Sequence, residues 1–381
     1  MNNRFIVWKP KFSLTPSIAK HLMQVEAART AVELIQVPVD IAAELRKRAR
    51  IRSTHYSTRI EGNRLTLGEA EDIIEKRRVT FHGRERDVRE VQNYWNALLQ
   101  VEEWAAKKTP LTEDLLRRLH AMVMKGKRAK PTVYRDGQNV IRDADSGAII
   151  YLPPEAKDVP LLMKALISWI NKASKDEMPP PIIGALAHYQ FVTIHPYYDG
   201  NGRTARLLAT FILHREGYSL KGFFSLEEHH AIDLDGYYRS LATHPHHNYY
   251  EGRAEADLTG WLEYFTSILA RVFLTVRGEA ESHTRKDRPF EPEELRHFDR
   301  RARIVLSLFA KTGSITSGEV AKALGLSDRM ARTLLKTWVK DGWLVITGAS
   351  NKSRRYILSE IYRKFIGNVS TGTPPGTFMT L

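Results

Sequence analysis

The chain has 381 residues, 43% of them hydrophobic and 27% charged, the balance of an ordinary globular protein and enough length for two or three domains with real cores. It contains no cysteine, which excludes disulfides, thiolate metal centres and cysteine nucleophiles and suits a reducing cytoplasm. The formal charge of +14 points to polyanionic partners, nucleotides or nucleic acid.

No apolar run approaches the roughly 18–20 residues that span a bilayer, so no membrane partner is expected. The opening residues are too short and polar a stretch for a secretion signal, and the expected location is the cytoplasm. Residues 1–16 read as an arm, with Trp8 and Pro10 as its anchors. A helix is predicted over 17–34, and Pro38 ends the segment that follows it. From Asp40 a second helix begins, with Ala42, Ala43, Leu45 and Ala49 at helical spacing. It runs on to Ser57 and Glu61, which stand i and i+4 on one face, with Gly62 as a C-cap candidate. Taken alone, that is an ordinary helix end carrying an exposed glutamate. Thr66 and Glu69 form a capping box for the next helix. Amphipathic helices are expected over 87–104, with Val88, Val91, Trp95, Leu98 and Leu99 as the apolar face, and over 112–124.

Residues 131–154 change character. Tyr134-Arg135, Asn139-Val140-Ile141 and Ala148 to Tyr151 are short β-prone runs, and Asp143-Ala144-Asp145-Ser146-Gly147 is turn chemistry, so a hairpin is expected inside a helical domain. On pattern alone it is as much a decorative loop as a functional one. A helix over 159–173 follows, and Pro179-Pro180-Pro181 breaks the chain before a long apolar run, residues 182–194.

Residues 195–206, His-Pro-Tyr-Tyr-Asp-Gly-Asn-Gly-Arg-Thr-Ala-Arg, hold the densest chemistry. Pro196 and the Gly200-Asn201-Gly202 triplet forbid one continuous helix, so the reading is helix, tight loop, helix. Unpaired N–H groups at the start of the second helix make an anion site, and the glycines let a ligand approach the backbone. Arg203 and Arg206, three apart, share a face and can clamp further phosphate oxygens. Asp199 is a hard oxygen ligand suited to a Mg²⁺ that travels with phosphates. His195 is the side chain here that titrates near neutrality, and it can take a proton from an attacking hydroxyl. Together these describe nucleotidyl or phosphoryl transfer.

Beyond the loop, the stretch with Tyr237 and Tyr238 is predicted helical. The cluster of His229, His230, His244, His246 and His247 lacks metal-ligand spacing and reads as loop histidines. A helix over 258–275 closes this part. Residues 278–294, polar and broken by Pro289 and Pro292, read as a linker. Helices over 298–309, 316–324 and 328–340, then strands 343–347 and 354–358, have the order of a winged helix. Arg329, Arg332 and Lys336 lie on the third helix, and Lys352 and Arg354 lie in or beside the wing. Residues 285–365 hold 18 Lys and Arg against nine Asp and Glu, nine of the chain's +14 charges, so duplex DNA is an expected partner. A winged helix used for protein contacts is the competing reading. The Thr-, Gly- and Pro-rich tail, 367–381, is expected to be disordered.

The string 195–206 closely resembles the signature of the Fic (filamentation induced by cAMP) family, H-x-F-x-[DE]-G-N-G-R-x-x-R, with Tyr197 in place of the Phe. Residues 90–98 resemble the family's E-x-x-N-Y-x-x-A-L stretch, and Tyr237-Tyr238 its Y-Y-x-x-L segment near the adenine, with a core role for one of the tyrosines left open. Ser57 to Gly62 looks like the family's inhibitory motif, [ST]-x-x-x-E-[GN]. The resemblance implies a mainly α fold with a β-hairpin flap, and transfer of AMP from ATP, with Mg²⁺, to a Ser, Thr or Tyr hydroxyl of a target protein. It makes His195 the base and Asp199 the metal ligand, with residues 200–202, Arg203 and Arg206 on the phosphates. It has Val140 and Ile141 in the flap that holds the target segment, and Glu61 paired with Arg206 as inhibitor. The expected division is a helical N-terminal region over 1–110, the catalytic domain over 111–278, a linker over 279–295, the winged helix over 296–366 and the tail. Two other readings stand: a DNA-binding regulator whose Fic domain only senses nucleotide, and an enzyme that removes AMP. A homodimer is a further expectation.

Overall fold

A computed structural model describes residues 7–77, 80–142, 146–285, 295, 298–309, 312–348 and 354–363. The expected tail, Lys352 and the centre of the hairpin turn lie outside the described residues. The chain divides into two compact units, residues 1–36 with 44–284, and residues 37–43 with 285–381.

The larger unit is helical. Trp8 sets its ring edge-on to Trp169 at 4.7 Å, and the Leu258 N–H donates to the Lys11 carbonyl, so the arm is tied down. Thr15 caps α1 (Pro16–Leu34), α2 runs Val39–Ile60, and the capping box of Thr66 and Glu69 opens α3 (Leu67–Ile74) with both halves made. Then come α4 (Glu85–Ala106) and α5 (Glu113–Lys125). A two-stranded antiparallel hairpin follows, β1 (Ile141–Arg142) with β2 (Ile149–Tyr151), Ile141 opposite Tyr151. Beyond it lie α6 (Val159–Lys175), α7 (Pro180–Ile194), α8 (Asn201–Arg215), α9 (Leu226–Ile232), α10 (Leu234–Leu241) and α11 (Thr259–Arg285).

The centre of this unit is α7 packed on α8, with α6 against α7 and α4 and α5 against α8. A helix that is apolar all round belongs in a core, and α7 buries nearly every residue from Pro181 to Ile194. It stops where it must: Pro196 bars helical geometry at His195, which takes the left-handed conformation at φ 51°. The chain re-enters a helix through Gly200, also left-handed at φ 77°.

Two sequence expectations are corrected. Residues 278–285, read as linker, continue α11, because Arg277 and Glu281 pair across one turn and no proline interrupts before Pro289. Tyr134-Arg135 is not a strand: the Arg135 backbone N–H donates to the Pro196 carbonyl in the loop rather than to a ladder.

The smaller unit contains α12 (Arg300–Leu308), α13 (Ser317–Leu324) and α14 (Asp328–Lys340), then β3 (Leu344–Thr347) paired antiparallel with β4 (Arg355–Leu358) and a short α15 (Glu360–Arg363). Gly325 ends α13 in the left-handed region, and Ser327 caps α14. Its own core gathers Val305, Leu335, Trp338, Trp343, Leu344 and Tyr356.

Candidate active site

The junction of α7 and α8 places the predicted residues side by side. The His195 Nδ1 lies 3.3 Å from the Val192 carbonyl, which can only accept, so Nδ1 carries the proton and Nε2 keeps its lone pair. Burial pushes the imidazole pKa down to about 4, with the Val192 hydrogen bond partly opposing it. At neutral pH the ring is therefore a neutral base.

Gly200 and Gly202 lie close against neighbouring side chains. A Cβ on Gly200 would stand 2.5 Å from the Met124 sulfur, and one on Gly202 would stand 2.2 Å from the Glu61 Oε1. The Glu61 carboxylate thus lies directly over the start of α8. Among the described residues, the first α8 N–H with an acceptor is that of Thr204, to the Gly200 carbonyl, leaving those of residues 201–203 open. The Asn201 side chain is spent inside the loop. It accepts from the Tyr197 N–H at 3.1 Å and donates to the Tyr197 carbonyl at 2.8 Å, so its contribution to an anion site is its backbone alone.

The two arginines differ. Arg203, 1% exposed, donates to Asp199 Oδ1 at 3.0 Å and faces Glu90 at 3.6 Å. Arg206, 4% exposed, donates through Nε to the Ser57 hydroxyl and through Nη2 to the Ser57 carbonyl, both at 2.9 Å, and through Nη2 to Glu61 Oε1 at 2.8 Å. A buried guanidinium needs such partners; α2 supplies two through Ser57, and the turn just after it supplies the third through Glu61. Asp199 is exposed; its Oδ1 also accepts from the Gly200 N–H at 2.6 Å, while among the described residues Oδ2 has only Arg86 at 3.9 Å.

Tyr237 and Tyr238 part company. Tyr237 is buried and its hydroxyl meets His188 Nε2 at 3.0 Å, a core role, whereas Tyr238 is half exposed. Val140 precedes β1, with its N–H donating to the Asn139 side chain, and Ile141 is in the strand. In the smaller unit, Arg329, Arg332 and Lys336 lie on the exposed face of α14, opposite the buried Ala331, Leu335 and Trp338. Among the described residues no carboxylate is within ion-pair distance of these three or of Arg354. His244, His246 and His247 form no metal cluster with other donors among the described residues.

Sequence reading missed two residues. His120 donates from Nε2 to the Asp199 carbonyl at 2.8 Å and stacks on Tyr197 with centroids 3.6 Å apart, bracing the loop from below. Arg135 donates to the carbonyls of His195, Gly137 and Pro154, riveting the segment before the hairpin to the end of α7. His120 looks like one more apolar-helix residue, and Arg135 like one more surface cation, until the fold brings their acceptors together.

Comparison with known proteins agrees with this geometry. Residues 110–213 match the model of the Fic/DOC family. The chain is 29% identical over 207 residues to proteins named "Protein adenylyltransferase Fic" from Drosophila willistoni and Drosophila melanogaster, 52% of this chain and 39% of each relative, so it spans about two fifths of their length. It also resembles the crystal structure of a Fic family protein from Desulfovibrio desulfuricans G20, with a TM-score of 0.59 and 26% identity over 93% of this chain and 99% of that one. The fold is shared with Fic-1 from C. elegans at a TM-score of 0.55, 23% identical, over 70% of this chain and 73% of that one. Residues 195–206 lie inside the stretch that matches the Fic/DOC family model.

Replacing Arg135 with Ala should cost the larger unit about 2–4 kcal/mol, because three carbonyls lose a charged donor at once. Arg135→Lys should recover little of it, since one ammonium cannot span the fork. Scanning calorimetry of both variants checks this, and full recovery by Lys would show that the fork is not needed.

Proposed function

We propose that this chain is a protein adenylyltransferase that moves AMP from ATP to a hydroxyl of a target protein and is held back by Glu61. The observation that supports this best is a neutral His195, its Nε2 lone pair free, at the mouth of a glycine-lined helix N-terminus. In the proposed reaction Nε2 takes the proton of the target hydroxyl as its oxygen bonds to the α-phosphorus. The bond from that phosphorus to the bridging oxygen breaks and pyrophosphate leaves. The open N–H groups of residues 201–203 stabilise the charge on the phosphate oxygens. Arg203, already fixed by Asp199 and Glu90, orients Asp199, and Arg206 serves the outer phosphates. Tyr238, half exposed, is the tyrosine available to a nucleobase, and Ile141, with Val140 leading into it, belongs to the strand β1 that is proposed to take the target segment.

Mg²⁺ fits at Asp199, whose Oδ2 is unengaged apart from Arg86 at 3.9 Å. No group of three donors stands together among the described residues, which suits a cation held jointly with phosphates, where it would neutralise their charge. Glu61 bonded to Arg206, its carboxylate against Gly202, fits an inhibitor that occupies the place of the terminal phosphate.

For the smaller unit we propose a winged helix that binds duplex DNA through α14 and the segment after β3, with Arg329, Arg332, Lys336, Lys352 and Arg354 on the phosphates. The exposed cationic face of α14, whose Arg329, Arg332 and Lys336 make no ion pair among the described residues, supports it.

Two outcomes test these readings. With α-labelled ATP and Mg²⁺, His195→Ala should lower label transfer by about 10²–10⁴-fold while nucleotide still binds. For the parent, the rate should stay level as pH falls from 7 to 5 and drop only toward pH 4, because burial lowers the pKa and keeps the base neutral above it. Undiminished transfer by the variant removes His195 from the role, and an acid limb near 6.5 would show that burial does not lower the pKa of the working base. Arg332→Ala with Lys336→Ala should weaken duplex binding in a gel shift and reduce the slope of affinity against salt by about two. Equal binding by parent and variant would point to a protein-contact role.

A further inference from the structure

One buried carboxylate has no part in the chemistry above. Glu227, 2% exposed, sits in the first turn of α9 and accepts from the Tyr94 hydroxyl at 3.0 Å and the Ser225 hydroxyl at 3.2 Å. Among the described residues no cation lies within ion-pair distance of it. Arg50, which lines a cavity of about 10 Å³ with Glu227, is committed to Glu102 through two hydrogen bonds. The start of α9 compensates part of the charge. Burying an unpaired carboxylate is costly, so the interior must supply the rest.

The remaining compensation runs through Tyr94. Its hydroxyl borders that of Ser57, and the Ser57 hydroxyl accepts from Arg206 Nε at 2.9 Å. All four side chains are buried. The donors point one way along this line. Arg206 Nε–H gives to Ser57, the Ser57 hydroxyl is left to face Tyr94, and the Tyr94 hydroxyl gives to Glu227. The two hydrogen bonds at the ends of this line point the same way across the Tyr94–Ser57 contact, and in a medium of low polarity the carboxylate at one end stabilises the cation at the other.

We infer that Glu227 is a positioning residue for Arg206, acting through Tyr94 and Ser57. The inference rests on the proposed role of Arg206 toward the outer phosphates. Glu61 approaches the guanidinium from the side a phosphate would use, so it cannot hold Arg206 when nucleotide is in place. The line from Glu227 enters through Nε, which Glu61 does not touch, and can hold the guanidinium in both states. The line leaves the Nη atoms aimed over Gly202 once Glu61 withdraws.

The test uses the full chain with Glu61→Gly as parent and measures equilibrium binding of ATP and AMP by calorimetry. Glu227→Gln should weaken ATP binding by about tenfold, the scale of coupling between residues of one network, and leave AMP binding, which lacks the outer phosphates, within twofold. Tyr94→Phe breaks the same line at its middle while keeping the ring in the core. It should reproduce the result, and the two changes together should be no worse than either alone. With Glu61 present, Glu227→Gln should change ATP binding less, because Arg206 is then held from the other side. A parallel loss of ATP and AMP binding would make Glu227 a general structural residue and overturn the inference. Unchanged ATP binding in both single variants would overturn it as well. A parent that binds neither nucleotide would remove the reading of the site and this inference with it.

Discussion

The guanidinium of Arg206 is the constraint around which the larger unit is assembled. It is 4% exposed, so its charge has to be answered from inside the protein. The second turn of α8 fixes where it is; Ser57 in the last turn of α2 answers it twice, and Glu61, just past the end of that helix, answers it once. That contact ties a helix near the start of the chain to the loop at residues 195–206. It also explains why the segment around Ser57 is buried although its composition is polar: Ser53, Thr54, His55, Ser57 and Thr58 all lie inside. A helix end that looks ordinary in sequence is part of the site because a buried cation requires it.

The loop itself is held by a second set of contacts that do not touch the proposed reacting atoms. His120 and Tyr197 stack beneath it, Asn201 closes it, and Arg135 fixes the carbonyl of His195. Preorganisation of this kind lets a short irregular segment present a base and three N–H groups without rearranging. Tyr197, in the place where the resembled signature has Phe, keeps the ring in the core, and its hydroxyl has no partner among the described residues. Burial raises its pKa well above the usual phenol range, so it stays neutral there.

Much of this was legible in the sequence because it follows from local rules. Caps at Thr66 and Ser327, the apolar run of α7 and the glycines at 200 and 202 each dictate their own geometry. The pairing of Ser57 and Glu61 on one face follows from helical spacing, but their meeting with Arg206 is a contact across 145–149 residues, which spacing does not supply. Only the family resemblance put Glu61 beside Arg206 in advance. His120, Arg135 and Glu227 were not legible for the same reason, since each matters through acceptors or donors that lie far away in the chain. The end of α11 was misread because charged residues at i and i+4 lower hydropathy in a helix as much as they do in a linker.

The most direct test of the account is the contact between Glu61 and Arg206. Glu61→Gly removes the carboxylate from above Gly202 and leaves both Ser57 bonds to Arg206 in place. Incubated with α-labelled ATP and Mg²⁺ beside the parent chain, it should incorporate label faster by on the order of 10²-fold, the cost of a nucleotide displaced by about 1 Å from in-line geometry. Label incorporation equal to or below that of the parent would contradict the inhibitory role of Glu61.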